Sequence, residues 1–117
     1  PNQIHHVNAH GLSTPVDDRY EAQAIRAVLG DVPVTAPKSF FGHLGAGCGA
    51  MELAASLIGM QHGEIPITLN YDEPDAECPV NIVHSAPLKL ASGQEGALVK
   101  VSASRLGQAA AMVIAGG

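Results

Sequence analysis

Lys38–Met60 reads KSFFGHLGAGCGAMELAASLIGM, and the fold class follows from its two parts. Lys38-Ser39-Phe40-Phe41-Gly42-His43 is a short loop with a lysine and a histidine. Behind it, from about Ala46 to about His62, runs a helix-length segment that is apolar nearly all round. Ala46, Cys48, Ala50, Met51, Leu53, Ala54, Ala55, Leu57, Ile58 and Met60 leave no wide polar face, and Glu52 is its one charge. Such a helix belongs in a membrane or in the middle layer of a protein. It is too short and too rich in Gly and Ala for a membrane span. It is therefore expected to be a buried central helix with protein on both sides.

The 117 residues suffice for one domain with its own core. A hydrophobic content of 46% argues against disorder, and 3% aromatics mean a core packed from small residues. The net charge of −5 with no basic run argues against nucleic acid as a partner. Cys48 and Cys78 form neither a disulfide framework nor a CxxC metal site, so a reducing, cytoplasmic compartment is expected. The start, PNQIHH, has no charged region followed by an apolar run, so no signal peptide is read there. A strand begins almost at once after Pro1, as in a segment of a longer chain.

Outward from the central stretch, the chain alternates elements. Gln3–Ala9 reads as a strand with Ile4 and Val7 in the sheet interior. Asp17–Leu29 reads as a helix, capped by Ser13 or Thr14, with Pro15 in its first turn and Asp17, Asp18 and Glu21 toward its positive end. Ala22, Ile25, Val28 and Leu29 form its apolar stripe, and Gly30 ends it. Val32–Ala36 is a second strand, Glu64–Leu69 is extended, Asn70–Pro79 is a surface loop, and Asn81–His84 is a third strand. Pro87–Glu95 is polar and turn-rich. Ala97–Ser102 and Ala109–Ile114 are strands joined by a hairpin at Ser104–Gly107. The fold class is α/β: a mixed sheet of about five strands with parallel βαβ crossovers and a terminal antiparallel pair. One such sheet covers one side of the central helix, so a second sheet outside this chain is expected on the other.

Two loops repeat a pattern. Asn8-Ala9-His10-Gly11 and Gly42-His43-Leu44-Gly45 each follow a strand, set His beside Gly and lead into a helix. Sites in open α/β sheets gather at the carboxyl ends of strands, so both histidines are expected at one edge. Two neutral imidazoles aimed at one point make an oxyanion-type site, with the following helix dipole favouring neutral His43 and Lys38 supplying fixed charge. A lone histidine is more often a surface or core residue, and His5, His6, His62 and His84 are read so. Cys48, flanked by Gly47 and Gly49, is read as structural. Cys78 sits among acids that disfavour its thiolate. Ser13, Ser39 and Ser102 lack a GxSxG context, and no nucleotide-binding motif is present, so no cofactor and no metal is expected.

Three stretches resemble one family. VNAHGLSTPVDDRYEAQAI, KSFFGHLGAGCGAMELAASL and IPITLNYDEPDAECPVNIV are similar, in order, to segments of the β-ketoacyl-acyl carrier protein synthases, the condensing enzymes of fatty-acid and polyketide synthesis. The resemblance implies the C-terminal half of a thiolase-like fold, with residues 1–117 forming the C-terminal domain. It implies an acyltransferase that joins malonyl units to an enzyme-bound acyl group by decarboxylative Claisen condensation. His10 and His43 match the two family histidines that stabilise the enolate, Lys38 the family lysine, and Glu52 the glutamate of the following helix. Ser13, Thr14 and Arg105 fall at the substrate pocket. The family's nucleophile belongs to the other half and matches neither cysteine, so the chain by itself is expected to be inactive. Implied partners are acyl carrier protein with its thioesters, the N-terminal half, and a second subunit, either a copy or a paralogue. Two positions depart from the pattern: Leu12 replaces a threonine, and Val101–Ala109, VSASRLGQA, lacks the family's paired glycines and aromatic. They support an alternative, a non-catalytic partner of the chain-length-factor kind. Open apolar faces lead to a further expectation, self-association of the isolated chain.

Overall fold

A computed structural model describes residues 2–92 and 96–115. Five strands form one sheet: β1 (Ile4–Asn8), β2 (Pro33–Thr35), β4 (Asn81–Ile82), β6 (Ala97–Ala103) and β7 (Ala109–Ala115), in the order β4-β2-β1-β6-β7. β1 lies parallel to β2 and β6, β2 lies parallel to β4, and β6 and β7 pair antiparallel. This is the mixed sheet with a terminal hairpin expected from the sequence. A second, two-stranded sheet joins β3 (Glu64–Ile65) and β5 (Leu88–Lys89), so the polar stretch from Pro87 contains a strand. The end of that stretch, Gly93–Glu95, lies outside the described residues.

Helix α1 (Pro15–Leu29) forms for the reasons its sequence supplies. Thr14 is extended and its hydroxyl accepts the Asp17 N–H at 3.2 Å. Asp17 and Asp18 occupy the first turn, and Gly30, at φ 72°, closes the end with its N–H on the Arg26 carbonyl. Ala22 and Ile25 are buried and Leu29 packs at the core edge, but Val28 is exposed. The stripe is narrower than expected, with Ile25 meeting Val7, Val34 and Val99 of the central strands while Val28 faces away from the core.

Ile4 and Val7 both pack into the apolar core, although three residues apart they should point to opposite faces of a regular strand. A bulge resolves this. Between Ile4 and His6 the register against β6 shifts, with His5 as the extra residue. Past the bulge the faces separate. Val7, Ala9, Val34 and Val99 join Ile25 of α1 in one core, while His6, Asn8 and Lys100 point the other way.

That other face receives α3 (Cys48–Gln61), which follows a four-residue helix α2 (Lys38–Phe41) and a 3-10 turn (Gly45–Gly47). The expected Lys38–His43 loop is therefore partly helical. Within this chain α3 buries one side, and the side it buries is polar: Cys48, Glu52 and Ser56, spaced by four residues along one face. Met51, Leu57 and Ile58 remain 47%, 36% and 56% exposed. Among the described residues, no helix is long and apolar enough to cross a membrane.

Candidate active site

β1 and β2 end side by side at Asn8 and Thr35; His10 lies in the loop after β1, and His43 follows the short helix α2 that comes after β2. The two rings meet edge-to-face, with centroids 6.4 Å apart and planes at 88°. They line a cavity of about 430 Å³ together with Leu12, Cys48, Ser102 and Arg105. Ser13 and Thr14 lie instead on a neighbouring hollow of about 600 Å³, which His43 and Lys38 also border. Thr14 is at the same time the cap of α1.

Each histidine is held through its backbone or its ring. The Glu21 carboxylate, two turns into α1 rather than at its tip, accepts the His10 N–H at 2.6 Å and the Gly11 N–H at 2.9 Å. Gly11 has φ 54°, and a Cβ there would stand 2.7 Å from the Ala36 Cβ, so the turn after His10 requires glycine. His43 Nδ1 accepts the Gly45 N–H at 3.0 Å, which places the ring proton on Nε2. Burial lowers the pKa of His10, and the Lys38 ammonium adds to the effect. A neutral His10 can donate one N–H to a bound oxygen.

Beneath the histidines lies a buried ionic cluster. Glu52, 1% exposed, receives the Lys38 ammonium on one carboxylate oxygen and the Lys100 ammonium, at 2.6 Å, on the other. Lys100 also donates to the Val101 carbonyl at 2.7 Å and the Ala9 carbonyl at 3.3 Å. Burial lowers the Lys100 pKa, against the pull of Glu52. Asn8 extends the cluster, donating to the Glu52 carbonyl at 2.6 Å and the Ser56 hydroxyl at 2.8 Å, and His6 Nε2 meets the same hydroxyl at 3.0 Å. Lys38 thus sits below the site as a charge rather than in an open loop.

The remaining nucleophiles differ. Cys48 Sγ accepts the Leu44 N–H at 2.9 Å and lies 3.8 Å from His43 Nδ1. Cys78 has its thiol pKa raised by burial and by Asp75. Sequence reading missed Lys100, Glu21, Asn8 and Ser56. The signal for Lys100 was a charge inside ALVKVS, a strand that a two-sided fold buries on both faces.

Comparison with known proteins identifies the family of the chain. Residues 1–72 match the family described as "Beta-ketoacyl synthase, C-terminal domain". The chain is 44% identical over 86 residues to the tetracenomycin polyketide synthase ketoacyl synthase alpha subunit of Streptomyces glaucescens, covering 70% of this chain and 20% of that protein. It is 37% identical over 87 residues to 3-oxoacyl-[acyl-carrier-protein] synthase 2 of Synechocystis, covering 71% of this chain and 21% of that protein. Among solved structures, the ishigamide ketosynthase/chain length factor superposes with a TM-score of 0.88 at 28% identity, over 97% of this chain and 28% of that one. A type II PKS acyl-carrier protein complex with its ketosynthase gives 0.89 at 26% identity, over 100% and 29%. The chain therefore spans about a fifth of the curated relatives it matches.

Proposed function

Since the chain belongs to the β-ketoacyl synthase C-terminal domain family, we propose that residues 1–117 are the C-terminal domain of a parent enzyme that forms carbon–carbon bonds by decarboxylative Claisen condensation. The observation that carries this is the histidine pair, two rings 6.4 Å apart at the ends of parallel strands over a buried positive cluster. A malonyl thioester on an acyl carrier protein enters the cavity, and its thioester oxygen accepts N–H bonds from His10 and from Nε2 of His43. The bond to the carboxylate breaks, CO2 leaves, and its electron pair becomes an enolate held by the two donors. The enolate carbon attacks the acyl thioester of a cysteine in the N-terminal half, and the cysteine sulfur departs. Lys38 and Glu52 hold the site from below, and Arg105 stands at its rim. Ser13 and Thr14 border the neighbouring hollow, where the rest of the thioester would run. Without the other half this chain binds but does not condense. The setting is a cytoplasmic fatty-acid or polyketide pathway, with the parent paired to a copy or a paralogue.

The test is malonyl-carrier decarboxylation and condensation by the full-length parent. His10→Ala or His43→Ala should lower kcat by roughly 10²–10³. Unchanged rates sink the assignment. Arg105 on the cavity rim, in a loop without paired glycines, favours a second proposal, a chain-length-factor partner. The presence or absence of a cysteine at the nucleophile position of the other half separates the two.

A further inference from the structure

One ammonium would neutralise Glu52, and Lys38 already supplies it. A second buried lysine adds desolvation cost without being needed for charge balance. The contacts of Lys100 show what it does instead. An ammonium has three N–H donors, and those of Lys100 reach the Glu52 carboxylate, the Ala9 carbonyl and the Val101 carbonyl. Ala9 immediately precedes His10. Val101 immediately precedes Ser102, which lines the cavity beside both histidines. The side chain thus ties the backbone just past β1 and the carboxylate of α3 to its own strand, β6, under the site.

We propose that Lys100 is a positioning residue for His10: it fixes the strand end that carries this ring and leaves one positive charge in excess beneath the cavity. The proposal rests on the decarboxylation assigned above, in which an uncharged imidazole donates to a developing anion. The charged groups around His10 are Lys38 of α2, Glu52 of α3, Lys100 of β6, and Asp18 and Glu21 of α1, with the His43 ring opposite. Lys38 and Lys100 oppose protonation of His10, while Glu21 and Glu52 favour it. With only one lysine the cluster would be neutral and would give the enolate no net attraction. With two, it keeps the donor uncharged and draws negative charge toward it.

The experiment uses the full-length parent with Lys100→Met, which leaves the Lys38–Glu52 pair intact, and Lys100→Arg. Malonyl-carrier decarboxylation is measured across pH, and the His10 ring is titrated by NMR. In the methionine variant kcat should fall on the order of tenfold, the scale of losing an outer-shell partner, with little change in KM. The acidic limb of the rate profile and the His10 titration should move together to higher pH, and arginine should restore both. A folded methionine variant with limb and titration unmoved overturns the proposal. Should that variant not fold, Lys100→Gln, which keeps N–H donors without charge, must show the same shift or the proposal fails. If the wild-type parent decarboxylates nothing, the functional assignment fails, while the His10 titration still decides the role of Lys100.

Discussion

The two faces of the five-stranded sheet share their strands and have opposite chemistry. Toward α1, Val7, Ala9, Val34 and Val99 meet Ile25 in an apolar core. Toward α3, His6, Asn8 and Lys100 meet Glu52 and Ser56 through hydrogen bonds and ion pairs. The first face stabilises by removing apolar surface from water, about 1.5–3 kcal/mol per buried side chain of this size. The second gains little net stability, because desolvating three charges offsets most of their attraction. The difference teaches that the α1 face holds the domain together, whereas the α3 face is arranged for the cavity above it.

The sharpest way to break this comparison is to remove the shared carboxylate. Glu52→Gln leaves two buried ammonium groups without a counter-charge and should cost about 3–5 kcal/mol in urea unfolding. Ile25→Ala on the other face should cost about 3 kcal/mol through a cavity. A Glu52→Gln cost below about 1 kcal/mol would mean that the cluster is not closed to water.

The faces should also respond differently to acid. His6 is fully buried and its pKa is lowered to about 4, chiefly by burial and then by His5, against 6.5 unperturbed. A depressed histidine pKa means the unfolded chain binds the extra proton first. Its contribution is therefore complete above pH 6.5 and is lost as pH falls through the window down to about 4. The loss should reach about 3 kcal/mol, at ~1.4 kcal/mol per pH unit. Unfolding free energies at pH 7 and pH 4 measure it. His6→Gln should flatten that difference, and a slope that survives the substitution assigns it elsewhere.

The smallest effect is expected on the outer side of α3. Ile58→Ser should change unfolding by less than about 0.5 kcal/mol, because this side chain is already open. It should nevertheless weaken self-association of the isolated chain in sedimentation velocity, since exposed apolar patches drive association. Association unchanged by this substitution would move the contact to another surface, with β7 the next candidate from its exposed Met112 and Val113.

Much of the fold was legible in the sequence. Thr14, Pro15 and Asp17 act within the first turn and Gly30 at the last, so α1 could be placed from local rules. The alternating final strands and the parallel crossovers likewise came from pattern. His10 and His43 were legible as a pair because both follow strand ends. Pattern failed where partners are distant. His6, read as a surface or core residue, is in the core, but its bond to Ser56, fifty residues away, was not foreseen. Lys100 was passed over within a strand, and Glu21 was placed in the helix dipole rather than on the backbone of His10.

By itself the sequence determined the main elements, their order and the two histidine loops, though not the short helix α2 or strand β5, because caps, periodicity and turn chemistry operate over a few neighbouring residues. Only the tertiary structure decided which way α3 faces. Hydrophobicity counted along the helix cannot show that its buried stripe is Cys48, Glu52 and Ser56. A carboxylate 1% exposed is tolerable only where opposite charge meets it. Here that charge comes from Lys38 and Lys100, 14 and 48 residues away along the chain.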